Sequence, residues 1–453
     1  MNLVAVPGKS LTGGVSLPGD KSISHRAVLF AALSTGNNQV KNFLVAGVTQ
    51  VMLEALSELG IAWSLSGTTL QVQGAGLRKR SDAQDPVLLD CGNSGTTMRL
   101  LAGAVSALGL PAVLDGSDRL RSRPMKRIVD PLQRMGVEIQ STSDGTAPLS
   151  LAGRPSNRKL RSLDFTLPVA SAQVKSCLLL AALAAEGETI LKEPGPSRDH
   201  TERMLRAMGA AVDSYPVSIP GEQVDRIETR FLPPDPLKLD PLNLVLPGDF
   251  SSAAFLIVAA IITPGSQINI NGVGLNPTRT GLLDALQSMG ADITITNQYE
   301  SCGEPLGDLQ VRHGPLRGIT VSGSMVVRMI DEFPVFAVAA ANAMGQSVVT
   351  QAKELRHKES DRIDDLCREL RCLGVDLGEA PDGFTINGGE VLHGGQVISH
   401  GDHRLAMALA VAGLAAKGPV EIEQAGILTE SFPQFIQTLQ SLGAEIDFNS
   451  CNL

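Results

Sequence analysis

Lysine and arginine occur together with small polar residues at several points of the sequence, a combination that suits the binding of anions. Lys21 and Arg26 lie among serines, Arg99 follows an Asn-Ser-Gly-Thr-Thr-Met run, and Arg404 lies two residues after an aspartate. Ser, Thr, Asn, Asp and Gly are the residues that helix N-termini require, and such a terminus offers unpaired N–H groups and a positive dipole end. A cation is disfavoured there unless an anion joins it, so we expect an anion-binding face. Six segments have this composition: 19–26, 92–99, 171–175, 248–252, 329–333 and 401–404.

Further basic residues lie in charged segments that precede or follow these helix starts. Arg121 and Arg123 occur in Asp-Arg-Leu-Arg-Ser-Arg-Pro, and Arg198 occurs in Ser-Arg-Asp-His-Thr-Glu. A solvated charged loop is the default interpretation for each, and anion binding is the alternative. Lys358 and Arg362 form a stronger case, because their spacing of four residues predicts that both lie on one face of a helix.

No metal site is expected, because the histidines lack the spacing of metal ligands and are interpreted as capping or packing groups. This interpretation covers His25, His200 and His403. Three residues of the fourth segment are interpreted as ordinary helix caps: Asp249, Ser251 and Ser252.

The elements that must position these residues form a repeat. The phrase Leu-x-x-[Leu/Met]-Gly occurs six times, with its glycines 69 to 84 residues apart, and each glycine is followed by Ile, Val or Ala. A helix that ends in glycine and leads into a strand is the expected structure. The six glycines are Gly60, Gly136, Gly209, Gly290, Gly374 and Gly443.

A second series of helices, rich in alanine and leucine, lies 22 to 29 residues upstream of the first. These helices are apolar on nearly all sides and are expected to be buried, whereas the helices of the first series are expected to lie outside. We predict an α/β fold of six units, three in each of two domains. The second series is expected to end at Gly36, Gly109, Gly187, Gly265, Gly345 and Gly418.

Between the third and fourth units the chain becomes rich in proline, from Pro216 to Pro247, which favours a linker or an irregular loop. Near the N-terminus, residues 3–6 and 14–17 are predicted to form short strands. The sequence alone leaves open to which half of the protein these two strands belong.

Composition excludes several classes of protein. The chain has 453 residues, 43% hydrophobic and 19% charged, which is typical of a globular protein of several domains. Its net charge of −9 gives no basic surface for nucleic acid or for a membrane. The apolar runs are too short to span a bilayer, and the N-terminus lacks the features of a signal peptide, so we expect a cytoplasmic location. The six cysteines are expected to be free thiols.

With these motifs in their order, the chain resembles the 5-enolpyruvylshikimate-3-phosphate synthases over essentially its full length. The resemblance rests on Pro-Gly-Asp-Lys-Ser-Ile-Ser-His-Arg at 18–26, Gly-Asn-Ser-Gly-Thr at 92–96, Ser-Ala-Gln at 171–173, His-Lys-Glu-Ser-Asp-Arg at 357–362 and Asp-His-Arg at 402–404. It implies six βαβαββ units whose buried helices point their N-termini at a cleft between two domains. The first domain would comprise residues 21–242, and the second residues 1–20 and 243–453.

The resemblance also implies the reaction. Shikimate 3-phosphate and phosphoenolpyruvate would give enolpyruvylshikimate 3-phosphate and phosphate without a cofactor, in the pathway to chorismate and the aromatic amino acids. We expect a monomer that acts on these small molecules and has no nucleic-acid or membrane partner. Addition of the 5-hydroxyl to the enol requires a base and an acid. The resemblance assigns this chemistry to Asp331, nearest the hydroxyl, and to Glu359, with Lys21 as a participant.

The binding residues are likewise implied by the resemblance. Those for shikimate 3-phosphate are Lys21, Ser22, Arg26, Ser171, Ala172, Gln173, Arg198, Asp331 and Lys358. Those for phosphoenolpyruvate are Lys21, Gly95, Arg123, Gln173, Arg362 and Arg404. The herbicide glyphosate would occupy the phosphoenolpyruvate site, and resistant relatives carry alanine where this chain has Gly95.

The sequence departs from the pattern of many relatives at two places. Gly47 and Val48 stand where many have an acidic pair, and Glu430 stands where many have a lysine.

Two other functions compete with this one. The UDP-N-acetylglucosamine enolpyruvyl transferases share the fold, but they carry asparagine after the first lysine and a reactive cysteine before an Arg-Pro. Here Ser22 follows Lys21, and residues 115–124 contain no cysteine. A repeat protein that binds phosphorylated metabolites without catalysis is the alternative from another class, and the presence of Asp331 and Glu359 argues against it.

Overall fold

In the computed structural model of the protein, the residues described are 1–76, 85–218, 226–234 and 238–448. Pro220, Pro236 and Cys451, which the sequence interpretation included, lie outside them. Among the described residues the free cysteines are Cys91, Cys177, Cys302, Cys367 and Cys372. No helix in these ranges is both long enough and apolar enough to cross a membrane.

The helices of the described residues alternate with strands along the chain. The α-helices are α1 (Lys21–Leu33), α2 (Gly47–Glu58), α3 (Gly95–Leu108), α4 (Asp118–Arg121), α5 (Lys126–Arg134), α6 (Ala172–Ala182), α7 (His200–Ala207), α8 (Phe250–Ile262), α9 (Gly281–Ser288), α10 (Ser324–Arg328), α11 (Phe333–Ala341), α12 (Arg362–Cys372), α13 (His403–Leu414) and α14 (Phe435–Ser441). Two 3₁₀ helices span Lys353–His357 and Ala425–Glu430.

The strands of the described residues are short. They are β1 (Leu3–Val6), β2 (Thr12–Ser16), β3 (Thr35–Lys41), β4 (Trp63–Ser66), β5 (Thr69–Ala75), β6 (Val87–Asp90), β7 (Ala112–Asp115), β8 (Ile139–Gln140), β9 (Leu149–Leu151), β10 (Asp164–Thr166), β11 (Thr189–Glu193), β12 (Ala211–Val217), β13 (Arg226–Leu232), β14 (Asn243–Val245), β15 (Gln267–Gly274), β16 (Asp292–Ser301), β17 (Glu304–Arg312), β18 (Thr320–Val321), β19 (Gly345–Val349), β20 (Asp376–Ala380), β21 (Gly383–Gly388), β22 (Gly395–Ile398), β23 (Val420–Glu423) and β24 (Glu445–Phe448).

Among the described residues, these strands form six four-stranded sheets of one topology. In the sheet β6-β7-β9-β8, β6 runs parallel to β7, and β9 runs antiparallel to both β7 and β8. A buried helix joins the two parallel strands, and an outer helix follows the second of them. The prediction of six βαβαββ units is therefore confirmed.

Two of the sheets take their first strand from a distant part of the chain. Strand β2, which precedes α1, runs parallel to β15, while β14, which precedes α8, runs parallel to β3. Strand β1 lies between β23 and β24. Both N-terminal strands therefore pair with strands of the second half of the sequence, a question that the sequence alone left open.

The chain divides into two compact units. The first unit is Gly19–Leu246 together with Glu300–Glu304, and the second unit is Met1–Pro18, Pro247–Tyr299 and Pro305–Leu453. These bounds lie a few residues from those expected for the domains, because β14 pairs with a strand of the first unit. We propose that the two units are the two domains.

Each unit has its own apolar core built around three buried helices. In the first unit these are α1, α3 and α6, and in the second they are α8, α11 and α13. All residues of α8 and α11 are buried, as the sequence predicted from their apolar composition on all sides.

The six glycines of the Leu-x-x-[Leu/Met]-Gly phrase all have a positive φ, between 72° and 102°. Glycine adopts this left-handed conformation without the steric cost that a Cβ brings, which is why it ends the outer helices. The corresponding expectation for the buried helices was wrong in five of six cases. Only α3 has its predicted glycine, Gly109, at the C-cap, and the other five helices end three to five residues earlier.

The proline-rich segment is more ordered than the sequence suggested. Pro216 lies within β12, which pairs with β13 through seven residues. Strand β12 is at the edge of its sheet, where a residue without an N–H is tolerated.

Candidate functional site

In the first unit, the three buried helices begin with side-chain caps. Asp20 caps α1, Ser94 caps α3 and Ser171 caps α6, and each accepts a hydrogen bond from the backbone N–H three residues further on. The caps place five residues that were predicted to bind ligands in the first turns of these helices: Lys21, Ser22, Gly95, Ala172 and Gln173.

Arg26 and Arg198 bring residues predicted to bind the phosphorylated shikimate close to the start of α1. Its Nη1 donates to the carbonyl of Ser22 at 2.9 Å, and its Nη2 lies 3.5 Å from the carbonyl of Ala172. Arg198 Nη1 donates to Ser22 Oγ at 3.4 Å. The structure therefore brings together four of the residues predicted for the phosphorylated shikimate.

A second group in the first unit surrounds Arg99. Its Nη1 donates to Gln173 Oε1, and Gln173 Nε2 donates to Thr96 Oγ1 at 2.8 Å. A Cβ placed on Gly95 would lie 3.1 Å from Arg123 Nη1 and 3.3 Å from Arg99 Nη1. Gly95, Arg123 and Gln173, all predicted to bind phosphoenolpyruvate, are thus close together, and Arg99 is a cation of this group to which no ligand was assigned.

Arg121 has a different role from its neighbour Arg123. It forms a salt bridge of 2.6 Å with Asp115, and this carboxylate raises the pKa of Arg121 while its own pKa is lowered by the guanidinium. Arg121 is therefore a solvated residue of a charged loop, paired with Asp115.

Sequence reasoning missed a buried cluster in the first unit. Lys175 Nζ lies 2.6 Å from Glu193 Oε1 and 2.8 Å from Glu202 Oε1, with all three side chains buried. Burial opposes the charge of Lys175, but the two carboxylates outweigh it and raise its pKa. The available signal was a lysine within an otherwise apolar helix, because a buried charge requires a partner.

In the second unit, Arg362 is the centre of a cluster of charges. The side chain is only 2% exposed, and Nε donates to Asp402 at 2.6 Å. Nη2 donates to Glu359 at 2.7 Å, and Nη1 lies 3.4 Å from Asp331 Oδ1. These three carboxylates outweigh burial and raise the pKa of Arg362.

Asp331 lies among three cations just before α11. Its Oδ1 is 3.9 Å from Lys358 Nζ, and its Oδ2 is 3.5 Å from Arg404 Nη2, in addition to the contact with Arg362. The carboxylate is 17% exposed, so a small molecule can reach it. The structure thus brings together all five residues that were predicted to act in the second half of the chain: Asp331, Lys358, Glu359, Arg362 and Arg404.

The prediction that Lys358 and Arg362 share a helical face was wrong. The 3₁₀ helix ends at His357, and α12 begins only at Arg362, because the side chain of Asp361 accepts hydrogen bonds from the N–H groups of Ile363 and Asp364. Lys358 and Arg362 meet through their shared contact with Asp331 instead.

A second buried cluster includes Glu332, the residue that follows Asp331. Arg279 Nη2 donates to Asp249 Oδ1 at 2.6 Å and to Ser251 Oγ at 2.8 Å, and Ser251 Oγ donates to Glu332. Asp249 also caps α8, as predicted, but its buried ion pair with Arg279 was not foreseen. The two residues are 30 positions apart, so their spacing carries no local signal.

Each unit therefore presents cations next to helix starts, and the second unit adds carboxylates to them. Arginine fits phosphate and carboxylate groups through paired N–H donors. Carboxylates within such a cluster can accept and return protons when a substrate is bound. The two sets of residues suit the binding of small phosphorylated acids and the transfer of protons on them.

Comparison with known proteins gives the family. The family model "EPSP synthase (3-phosphoshikimate 1-carboxyvinyltransferase)" matches residues 6–439. A 3-phosphoshikimate 1-carboxyvinyltransferase of Geobacter sp. (strain M21) is 44% identical over 442 residues, covering 97% of this chain and 99% of the relative. One of Gloeobacter violaceus is 47% identical over 438 residues, with 96% and 97% covered. The chain belongs to the EPSP synthase family.

Solved structures agree with this assignment. An EPSP synthase from Acinetobacter baumannii has a TM-score of 0.86 and 39% identity, and the match covers 98% of this chain and 99% of that one. The enolpyruvyl transferase NikO from Streptomyces tendae has a TM-score of 0.76 at 21% identity, covers 98% of each chain and shows the same fold.

Proposed function

We propose that this chain transfers the enolpyruvyl group of phosphoenolpyruvate to the 5-hydroxyl of shikimate 3-phosphate and releases phosphate. The observation that carries the proposal is the cluster of Asp331 and Glu359 with three cations, in a chain of this family. Both substrates carry a phosphate and a carboxylate, and these groups match the basic side chains of each unit.

In this mechanism Asp331 accepts the proton of the 5-hydroxyl as its oxygen adds to the enol carbon, and Glu359 supplies a proton to the methylene. Elimination then restores the carbon–carbon double bond: a proton of the new methyl group returns to Glu359, and the proton taken up by Asp331 leaves with the phosphate. Both carboxyl groups regain their starting state, and no cofactor is consumed. Lys21 takes part at the start of α1, where the helix dipole adds to its charge to favour an anion.

We propose the ligand assignments on the same basis. Phosphoenolpyruvate would contact Lys21, Gly95, Arg123, Gln173, Arg362 and Arg404. The phosphorylated shikimate would contact Lys21, Ser22, Arg26, Ser171, Ala172, Gln173, Arg198, Asp331 and Lys358. The contacts that support this assignment are those of Arg26, Arg198, Arg99 and Asp331 described above.

A monomer in the cytoplasm remains our proposal for the state of the enzyme. The free thiols of the described residues fit a reducing compartment. Size-exclusion chromatography with light scattering measures the oligomeric state, and a molar mass near twice 47.6 kDa would contradict the monomer.

Phosphate release from phosphoenolpyruvate tests the function. It should require shikimate 3-phosphate, and UDP-N-acetylglucosamine should not replace it. Binding of both substrates without release of phosphate would instead support a protein that binds phosphorylated metabolites without catalysis.

Gly95→Ala should reduce inhibition by glyphosate more than it reduces use of phosphoenolpyruvate. The added methyl would lie against the guanidinium groups of Arg123 and Arg99, and overpacking of this kind costs about 1 to 3 kcal/mol, or about five- to hundredfold. Because glyphosate is longer than phosphoenolpyruvate, it has less room to adjust. We expect its inhibition constant to rise about tenfold more than the KM for phosphoenolpyruvate.

Gly47→Ala is the matched control, since a Cβ on Gly47 would meet no atom within 4 Å. This variant should show wild-type values for both ligands. If Gly95→Ala weakens the binding of glyphosate and of phosphoenolpyruvate by the same factor, Gly95 does not line the pocket as proposed.

A further inference from the structure

Arg26 is held by two hydroxyl groups to which no function has been assigned. Its Nε donates to Thr201 Oγ1 at 2.8 Å, and its Nη2 donates to Ser176 Oγ at 2.7 Å. The two hydroxyl oxygens are themselves 2.7 Å apart. The guanidinium is therefore fixed on the Nε side by α7 and on the Nη2 side by α6.

This contact is completely buried. Arg26 is 2% exposed, and Thr201 and Ser176 are 0% exposed. Burial lowers the pKa of Arg26 to about 10, although the charge of Glu202 opposes the change, so the side chain keeps its charge at neutral pH. A buried charged donor that loses its acceptor cannot replace it with water.

Thr201 is itself held in place from both sides. His200 Nδ1 lies 2.8 Å from Glu304 Oε1, and Glu202 Oε1 lies 2.8 Å from Lys175 Nζ. All four of these side chains are buried. The first turn of α7 is thereby tied to α6 and to the segment Glu300–Glu304 of the first unit, which leaves the Thr201 hydroxyl little freedom to move.

The contact of Arg26 with Ser22 lies on the opposite part of its guanidinium, whereas Nη2, which donates to Ser176, also lies 3.5 Å from the carbonyl of Ala172. Nη1 donates to the carbonyl of Ser22, at the start of α1, where the phosphorylated shikimate is proposed to bind. A guanidinium that turns away from Thr201 would lose its alignment with Ser22. Because only this substrate is assigned to Arg26, such a change should be confined to it.

We propose that Thr201 is a positioning residue for Arg26 and that its hydroxyl sets the affinity of the enzyme for the phosphorylated shikimate. The inference rests on the proposed function and extends it to a residue that is not assigned to either substrate. It predicts a defect in the KM for one substrate, which general damage to the fold would not produce.

Thr201→Val, which keeps the shape and removes the hydroxyl, should raise the KM for shikimate 3-phosphate about ten- to hundredfold, as expected for loss of a hydrogen bond to a charged group. The kcat and the KM for phosphoenolpyruvate should stay near their wild-type values. Thr201→Ser keeps the hydroxyl and should restore most of the affinity. Steady-state kinetics with each substrate varied in turn gives these constants.

Thr189→Val is the control, because Thr189 is equally buried in the same unit and its hydroxyl has no hydrogen-bond partner among the described residues. It should leave all three constants unchanged. An unchanged KM for shikimate 3-phosphate in folded Thr201→Val would overturn the positioning role, as would a Ser variant that is impaired as much as the Val variant.

Should Thr201→Val fail to fold, Ser176→Ala removes the other hydroxyl of the pair, and titration calorimetry with shikimate 3-phosphate then measures the affinity directly. A weakened affinity supports the proposal, and a wild-type affinity overturns it. The proposed function is tested separately, since a wild-type chain that releases no phosphate would refute it before any variant is compared.

Discussion

Asp331→Asn is expected to lower kcat by about 10²- to 10⁴-fold, the contribution of one positioned acid or base. The amide keeps the size of the carboxylate and its acceptor oxygen near Lys358 and Arg404, but it cannot take the proton of the substrate hydroxyl. Glu359→Gln should have an effect of the same order, because the amide oxygen can still accept from Arg362 while proton transfer to the methylene is lost. Phosphate release under saturating substrates measures kcat.

A control variant separates two causes of a lower kcat, the loss of proton transfer and the loss of a negative charge from the second unit. Asp365→Asn removes a buried carboxylate of the same unit that lies 3.6 Å from Arg368 and 3.8 Å from His400. Its kcat should remain near the wild-type value, and thermal unfolding should show that all three variants are folded. Near-normal turnover in Asp331→Asn or in Glu359→Gln would reject the role assigned to that residue.

The repeat architecture could be predicted from the sequence because its signals are local. Each outer helix ends at a glycine whose left-handed backbone conformation is set within one turn, and six such glycines recur at similar spacing. The buried helices were predicted from their apolar composition in the same way. The ends of most of the buried helices were predicted wrongly. Nothing in the local sequence requires these helices to continue as far as glycines such as Gly36 and Gly345, and they end a few residues earlier.

The exchange of β2 and β14 between the two halves of the sequence could not be predicted from hydrophobic patterning, although the family resemblance placed residues 1–20 in the second domain. Strand β2 pairs with residues more than 250 positions away, and β14 with residues more than 200 positions away. Hydrophobic patterning reveals that a segment is a strand, but it does not identify the partner of a strand this short. The compact units and their boundaries depend on this pairing.

The candidate site was predicted in part because the family motifs carry it, and the structure adds partners that motifs do not encode. The start of α12 could have been predicted from the sequence, because Asp361 belongs to the motif at 357–362 and aspartate is a preferred N-cap residue. Reading it as the cap would have placed Lys358 outside the helix. The partnership of Arg26 with Thr201 spans 175 positions and arises only from the packing of α1 against α7.

The second prediction with a large effect concerns Arg362 and the stability of the second unit. Arg362→Met should lower the free energy of unfolding by about 3 to 5 kcal/mol, the usual cost of removing one partner from a buried ion pair. The fully buried carboxylate of Asp402 would be left without its cation, whereas methionine fills much of the volume of the arginine. Arg356→Met is the control. Arg356 likewise contacts carboxylates, two rather than three, but it is 21% exposed, so its loss should cost no more than about 1 kcal/mol.

The effect of Arg362→Met should depend on pH in a defined direction. Burial alone would raise the pKa of Asp402, but in the wild-type protein the charge of Arg362 outweighs burial and lowers that pKa. The stability from this pair is therefore present above the ordinary aspartate pKa of about 3.9 and is lost as the pH falls through the lowered value. In the variant, burial is no longer opposed by the charge of Arg362, so the pKa of Asp402 should rise. Acid then protonates Asp402 and removes its unpaired charge. Urea unfolding at about pH 7 and about pH 4.5 measures the free energy of unfolding of both proteins. The difference in this free energy between wild type and variant should be largest near neutrality and should become smaller in acid. A difference that stays constant or widens in acid would show that Asp402 is not the group that Arg362 stabilises.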